Sequence, residues 1–187
     1  MAIKTFIVAD ARFFDEDAAR EQGMTIEDYN EMVIKKINEN IKKEDYAILL
    51  GVISKGNLVQ TSAVLQAINC NKDIIDYQNQ HQFTIAEWRA IGINHVWDCA
   101  GAQHSQIMGK DSIIIIGNNK KEITEEQGKY YIATAQSIVN TGELYKDKVL
   151  NVSMAQWDFE PIEVKERLPQ IFDDQELFLT MKEDIKE

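Results

Sequence analysis

The chain is short of thiols, imidazoles and positive charge, and each shortage narrows what it can do. Its 187 residues include two cysteines and three histidines. Cys70 and Cys99 form no C-x-x-C pair, and His81, His95 and His104 are spread without metal-ligand spacing, so no zinc or dithiol motif is encoded. Both thiols read as free, packed side chains of a reducing compartment. Lys and Arg number 20 against 31 Asp and Glu, for a formal net charge of −11. Nucleic-acid binding depends on clustered Lys and Arg, so a broad phosphate-binding surface is disfavoured, while solubility or docking on a basic partner fits the charge. The G-x-S-x-G, Walker and G-x-G-x-x-G patterns are all missing. Apolar runs such as Ile113 to Ile116 are strand-sized, far short of a membrane span. The stretch Met1 to Thr5 lacks the basic-then-apolar order of a signal peptide, which makes the cytoplasm the expected compartment. There is no internal repeat and no interdomain linker.

What is present is an ordinary globular composition, 44% hydrophobic and 27% charged. Lys4 to Val8 alternates and is rich in β-formers, predicting a first strand that ends at Asp10. Asp15 to Gln22 predicts a loop or short helix. Thr25 opens a helix with Glu27 and Asp28 in its first turn, and Ile26, Tyr29, Val33, Ile37 and Ile41 form one apolar stripe. Tyr46 to Leu50 reads as a strand, Gly56-Asn57 as a turn, Ala63 to Ile68 as a helix and Asp73 to Tyr77 as a third strand. Thr84-Ile85-Ala86-Glu87 is a capping box, and the helix it starts should stop at Gly92. Asn94 to Asp98 is a fourth strand. Ser105 to Met108 and Ser112 to Ile116 predict a hairpin, followed by strands at Lys129 to Ala135 and Val149 to Met154. Strands alternating with helices, then strands without them, predict a mixed sheet or a two-sheet sandwich flanked by helices.

Three segments in this order resemble the calcineurin-like metallophosphoesterases, especially the small bacterial and phage-type members. They are Phe6-Ile7-Val8-Ala9-Asp10-Ala11-Arg12-Phe13, then Leu49-Leu50-Gly51-Val52-Ile53-Ser54-Lys55-Gly56-Asn57, then Leu150-Asn151-Val152-Ser153 through Pro161-Ile162. The resemblance covers roughly residues 3 to 165. It implies an α/β, metallophosphoesterase-like two-sheet β-sandwich flanked by helices over residues 1–165, with 166–187 as a C-terminal helical tail. It also implies where two divalent metals would be held by carboxylate, imidazole and amide ligands.

Those ligand positions are mostly substituted. Asp10 matches the family's first aspartate, but Arg12 stands at the paired histidine and has no lone pair to give. Gly51 matches, while Val52 stands at the metal-bridging aspartate. Tyr77-Gln78-Asn79-Gln80 takes the place of the Gly-Asn-His segment, with His81 close by. Gly117-Asn118-Asn119 stands where a further histidine belongs, and Ala133-Thr134-Ala135-Gln136-Ser137 replaces Gly-His-x-His. The vestigial positions are thus Asp10, Arg12, Val52, Asn79, Asn118, Ala135 and Ser137. One carboxylate cannot retain a hard divalent ion against water, so no metal and no other cofactor is expected. An Asp left without its metals is a costly buried charge, and an Arg12–Asp10 ion pair is the expected remedy.

The expectation is a non-catalytic pseudo-phosphoesterase, a pseudoenzyme that binds or scaffolds another protein. The phage-type resemblance suggests a phage protein acting in the host cytoplasm or the virion. A protein partner is expected, a membrane is not, nucleic acid is disfavoured, and a homo-oligomer is left open. In the tail, Leu177, Phe178, Met181 and Ile185 recur at helical spacing among acidic residues and are the candidate partner-binding positions. Two rivals stand beside this reading. One is a residual metal-dependent phosphoesterase using Asp10, His81 or Asp158. The other is a binder of a phosphate-bearing small molecule through Arg12 and Lys55. His95 reads as packed or hydrogen-bonded, His104 as an exposed loop residue, and Trp88, Trp97 and Trp157 as core or core-edge anchors. The acidic pairs Asp15/Asp17, Glu125/Glu126 and Asp173/Asp174 read as solvated surface.

Overall fold

The computed structural model describes residues 2–75, 83–97, 103–108, 111–116, 130–134, 149–168 and 170–171, the stretches between 103 and 151 by backbone alone. A five-stranded mixed sheet organises the first half. It holds β1 (Thr5–Ala9), β2 (Tyr46–Leu50), β3 (Asn71–Ile75), β4 (His95–Trp97) and β9 (Ile162–Glu163), in the order β4-β3-β2-β1-β9. β1 to β4 run parallel and β9 is antiparallel to β1. Helices α1 (Glu16–Glu21), α2 (Ile26–Asn40), α3 (Leu58–Ala67) and α4 (Ile85–Ala90) fill the connections between the parallel strands, as parallel pairing requires of its crossovers.

Both faces of this sheet are apolar at its centre, which is why Tyr46–Leu50 of β2 reads as a continuous hydrophobic run. Phe6, Val8, Ala47, Leu49 and Ile74 face a core completed by Tyr29, Val33 and Ile37 of α2, Val64 and Leu65 of α3, and Trp88 of α4. The α2 stripe is buried as its spacing predicts, and each such aliphatic side chain contributes about 1.5–3 kcal/mol. On the opposite face Ile7, Ala9, Ile48, Leu50 and Ile75 pack with Val152, Ile162, Val164 and Leu168. Packing therefore continues past the boundary expected at residue 165. Leu168 is fully buried, and Lys4 pairs with Glu166.

A second, four-stranded sheet contains β5 (Gln103–Met108), β6 (Asp111–Ile116), β7 (Tyr130–Thr134) and β8 (Val149–Asn151), in that order. β5 and β6 are the antiparallel hairpin the sequence predicts, whereas β7 and β8 add in parallel. The chain leaves β8 through Val152, and Ser153 bridges to Ala9 of β1, joining this segment to the first sheet. Among the described residues no helix is long and apolar enough to cross a membrane.

Several local expectations shift. α3 begins at Leu58, because Asn57 and Gln60 form a reciprocal capping box that reading the pair Gly56-Asn57 as a turn overlooks. β9 was not anticipated; two residues are too few to carry a period. His104 lies in β5 rather than in a loop. His95 is hydrogen-bonded, one of the two roles expected of it, with Nδ1 3.1 Å from Asp73 Oδ1, although it stands exposed on the edge strand. Trp88 is a core residue, while Trp97 on the same edge strand is 42% exposed. Cys70 is a free, buried thiol whose pKa burial raises, as a structural side chain should be. Cys99 lies outside the described residues.

Candidate functional site

The loops that follow β1 and β2 zip together beyond the sheet edge. The amides of Asp10, Arg12 and Phe13 donate to the carbonyls of Leu50, Val52 and Ile53 at 2.9, 3.0 and 2.9 Å, and Lys55 N returns to Phe13 O at 2.8 Å. This continuation forces an unusual backbone. Asp10, Arg12 and Phe14 all have positive φ, at 50°, 51° and 58°. Of the three, only Asp visits that region with any ease, and such residues cost on the order of 1–3 kcal/mol each. α2 props the loop from behind. The Tyr29 hydroxyl donates to Ala11 O at 3.1 Å, and Phe14 N donates to Asn30 Oδ1 at 3.0 Å. Burial pushes the Tyr29 phenol up to about 12, so it acts as a fixed donor.

Beside these loops lies an open cleft of about 490 Å³. Its described lining comprises Asp10, Arg12 and Asp15 of the first loop, Glu21 at the end of α1, Val52 and Lys55 of the second loop, and Ser153 with Ala155 and Gln156. The last three lie on the segment that opens a 3-10 turn (Met154–Gln156) after β8. Just past that turn Asp158 and Phe159 also have positive φ, at 52° and 60°. The non-glycine left-handed residues described here thus cluster on the loops that line or follow the lining of this cleft.

Two carboxylates in the cleft are buried, and each is satisfied in its own way. Asp10 Oδ1 accepts from Val52 N at 2.8 Å, and Oδ2 accepts from the Ser153 hydroxyl. Asp15 is 1% exposed and caps α1, its Oδ1 accepting from the amides of Asp17 and Ala18 at 3.0 and 3.3 Å. Its Oδ2 takes Arg12 Nε at 2.7 Å and Lys55 Nζ at 3.0 Å. Burial works against the Asp15 charge, but the hydrogen bonds from Arg12 and Lys55 and the Ala18 amide outweigh it, and the pKa falls below its ordinary value. Burial likewise opposes the charge of Arg12, yet Asp15 and Glu21 raise its pKa on balance.

The expected Arg12–Asp10 ion pair is therefore replaced by another solution. Arg12 goes to Asp15 and, through Nη1 at 3.1 Å, to Glu21. A backbone amide and a hydroxyl hold Asp10 instead. Asp15, expected at the solvated surface, is the most buried charge in the cleft. The physical reason is convergence: two cations and two helix-start amides meet at one carboxylate, which offsets its desolvation.

Of the candidate positions, Asp10, Arg12 and Val52 all line the cleft, and Lys55 joins them. Asn79, Asn118, Ala135 and Ser137 lie outside the described residues, as do His81 and the tail positions Leu177, Phe178, Met181 and Ile185. Asp158 is exposed and is not among the cleft's described lining. Sequence reasoning missed Asp15, Glu21 and Gln156 as cleft residues, and Ser153 as the partner of Asp10. The signal for Asp15 was present in Asp15-Glu16-Asp17-Ala18-Ala19, an N-cap followed by acidic first-turn residues. For Ser153, 143 residues from Asp10, no local signal exists.

The metal pair implied by the resemblance needs several convergent acceptors. The described residues do not fit it. Both Asp10 oxygens already accept hydrogen bonds, Val52 presents an N–H donor, and Arg12 is a permanent cation. Among the described residues no three His, Cys, Asp or Glu side chains are grouped to hold an ion.

No family model matches the chain, and no curated protein matches it in sequence. Among solved structures it is similar to the crystal structure of a protein of unknown function from Aquifex aeolicus. The TM-score is 0.62 at 13% identity, over 87% of this chain and 96% of that one. That likeness is one of fold alone.

Proposed function

We propose that the protein is a non-catalytic pseudo-phosphoesterase, a binding or scaffold protein that keeps the two-sheet outline of the calcineurin-like enzymes without their metal chemistry. The observation that carries this reading is the state of Asp10. The carboxylate that would grip metal has one oxygen on the Val52 amide and the other on the Ser153 hydroxyl, so its charge is settled by protein donors. Arg12 stands where an imidazole ligand would be, and Asp15 and Glu21 engage it. With the Val52 N–H and the Arg12 guanidinium at two of the ligand positions, the described lining of the cleft offers no grouped set of ligands to hold a metal that would polarise water. The protein would act in the cytoplasm on a protein partner, and the phage-type resemblance points to a host factor or a virion component as that partner.

The test is metal analysis of purified protein combined with a phosphodiesterase assay in manganese. Substoichiometric metal and no turnover above buffer are expected. A bound metal pair with turnover that disappears in Asp10→Asn would overturn the proposal. For the partner, affinity capture from host extract should return a discrete protein, and charge substitutions between Leu177 and Ile185 should weaken the complex.

A further inference from the structure

Arg12 and Lys55 converge on a single oxygen of Asp15, which is itself buried. Their heads are therefore held side by side at the cleft rather than left to wander as long cationic side chains do. Neither is exhausted by that contact. Arg12 gives Nε–H to Asp15 and an Nη1 proton to Glu21, and its Nη2 makes no hydrogen bond to any described residue. Lys55 has three protons, directs its head at Asp15, and is half exposed.

Glu21 is the informative member. It is the last residue of the short α1, its side chain is 59% exposed, and its Oε2 rests 3.1 Å from Arg12 Nη1. Nothing else described holds that carboxylate, and ion pairs of this exposure are weak. A carboxylate of the protein's own thus occupies the outer side of Arg12 under a hold that a competitor can break.

We infer that the cleft is a binding site for a carboxylate-bearing small molecule, taken by Arg12 and Lys55, with Glu21 as its displaceable internal occupant. Exchange of the Glu21 carboxylate for a ligand carboxylate leaves the charge of the cleft unchanged. A dianion would instead add negative charge beside Asp10 and Asp15, which already match the two cations. The site therefore prefers a carboxylate to a phosphate dianion. Held between a guanidinium and an ammonium, the ligand gains charge-assisted hydrogen bonds from both. The inference does not depend on the chain lacking catalysis, which metal content and turnover decide separately.

The probe is acetate, titrated into the full chain while the Arg12 Nε–H signal is followed by NMR, with sodium chloride at matched ionic strength as control. A saturable shift is expected with acetate and not with chloride. Glu21→Ala should tighten it about threefold, the weight of an exposed ion pair. Lys55→Met, its fold checked by the dispersion of the amide spectrum, should weaken binding, and Arg12→Met should abolish the perturbation of neighbouring amides. No saturation in either the parent chain or Glu21→Ala would overturn the proposal, as would an equal response to chloride. Phosphate at pH 8 binding about tenfold tighter than acetate, the reverse of the charge argument, would overturn the carboxylate assignment.

Discussion

Arg12 Nε lies 2.7 Å from Oδ2 of Asp15, and that oxygen also receives Lys55 Nζ at 3.0 Å. The contact ties the loop after β1 to the loop after β2 and to the start of α1. It explains how an arginine with positive φ is held at the cleft: the cost of its backbone is offset by a charged hydrogen bond to a buried acceptor.

Asp15 should accordingly be a stability hub. Asp15→Asn keeps a capping oxygen but removes the charge facing two cations, and should cost about 2 kcal/mol, less than a fully buried pair because Lys55 is half exposed. Asp15→Ala should cost about 1 kcal/mol more through loss of the cap. Urea unfolding of the three proteins measures both differences. The folded pKa lies below the unfolded value near 3.8. The contribution is thus present above that value and is lost as pH falls through the folded pKa. Asp15→Asn should flatten that part of the acid limb.

Ser153 bonds Asp10 from 143 residues further along the chain. Ser153→Ala leaves one oxygen of a buried carboxylate without that donor, and should destabilise by about 1–3 kcal/mol. If Asp10→Asn is then added, the charge is gone and the loss at Ser153 should shrink. A double-mutant cycle by chemical denaturation reads this coupling, and simple additivity would argue against it.

Tyr29 holds the Ala11 carbonyl from α2. Tyr29→Phe strands that buried acceptor and should cost about 1–2 kcal/mol. Because the folded phenol titrates at about 12, above its ordinary 10.0, its contribution is complete below the unfolded pKa and fades as pH rises toward 12. Ultraviolet titration should show a late-ionising tyrosine step that is lost in Tyr29→Phe.

Gly56 is fixed by space. A Cβ there would sit 2.7 Å from Cδ2 of Phe14, the third residue of the loop with positive φ. Gly56→Ala should destabilise by about 1–3 kcal/mol through overpacking. Gly23 has φ of +68° but open space around it, so Gly23→Ala should cost only the backbone term, about 1 kcal/mol. Thermal melts of the two variants compare crowding with strain.

The elements with a strong period were legible along the chain. The α2 stripe and its Thr25 cap, the apolar runs of β1 and β2, the capping box at Thr84 and the β5–β6 hairpin all stand where local pattern places them. Asp10, Arg12 and Val52 were grouped in the sequence only through the family resemblance; in the structure they lie together because β1 and β2 are adjacent and parallel, so that the loops after them meet. How their charges are balanced was not legible. Asp10 and Arg12 are two residues apart and suggested a pair, yet positive φ at both sends Arg12 to Asp15 and leaves Asp10 for Val52 and Ser153.

By itself, then, the amino-acid order determined most of the secondary elements, the alternation that makes a mixed α/β sheet, and the presence of Arg12 and Val52, which carry no metal-ligating side chain, on the loops after β1 and β2. These rest on interactions within a few residues, which period and capping report directly. Tertiary structure alone decided the partners of the buried charges, the addition of β9 and the exposure of the edge strand. Those outcomes depend on which distant segments reach the same place, and a hydrogen bond spanning 143 residues leaves no trace in local pattern.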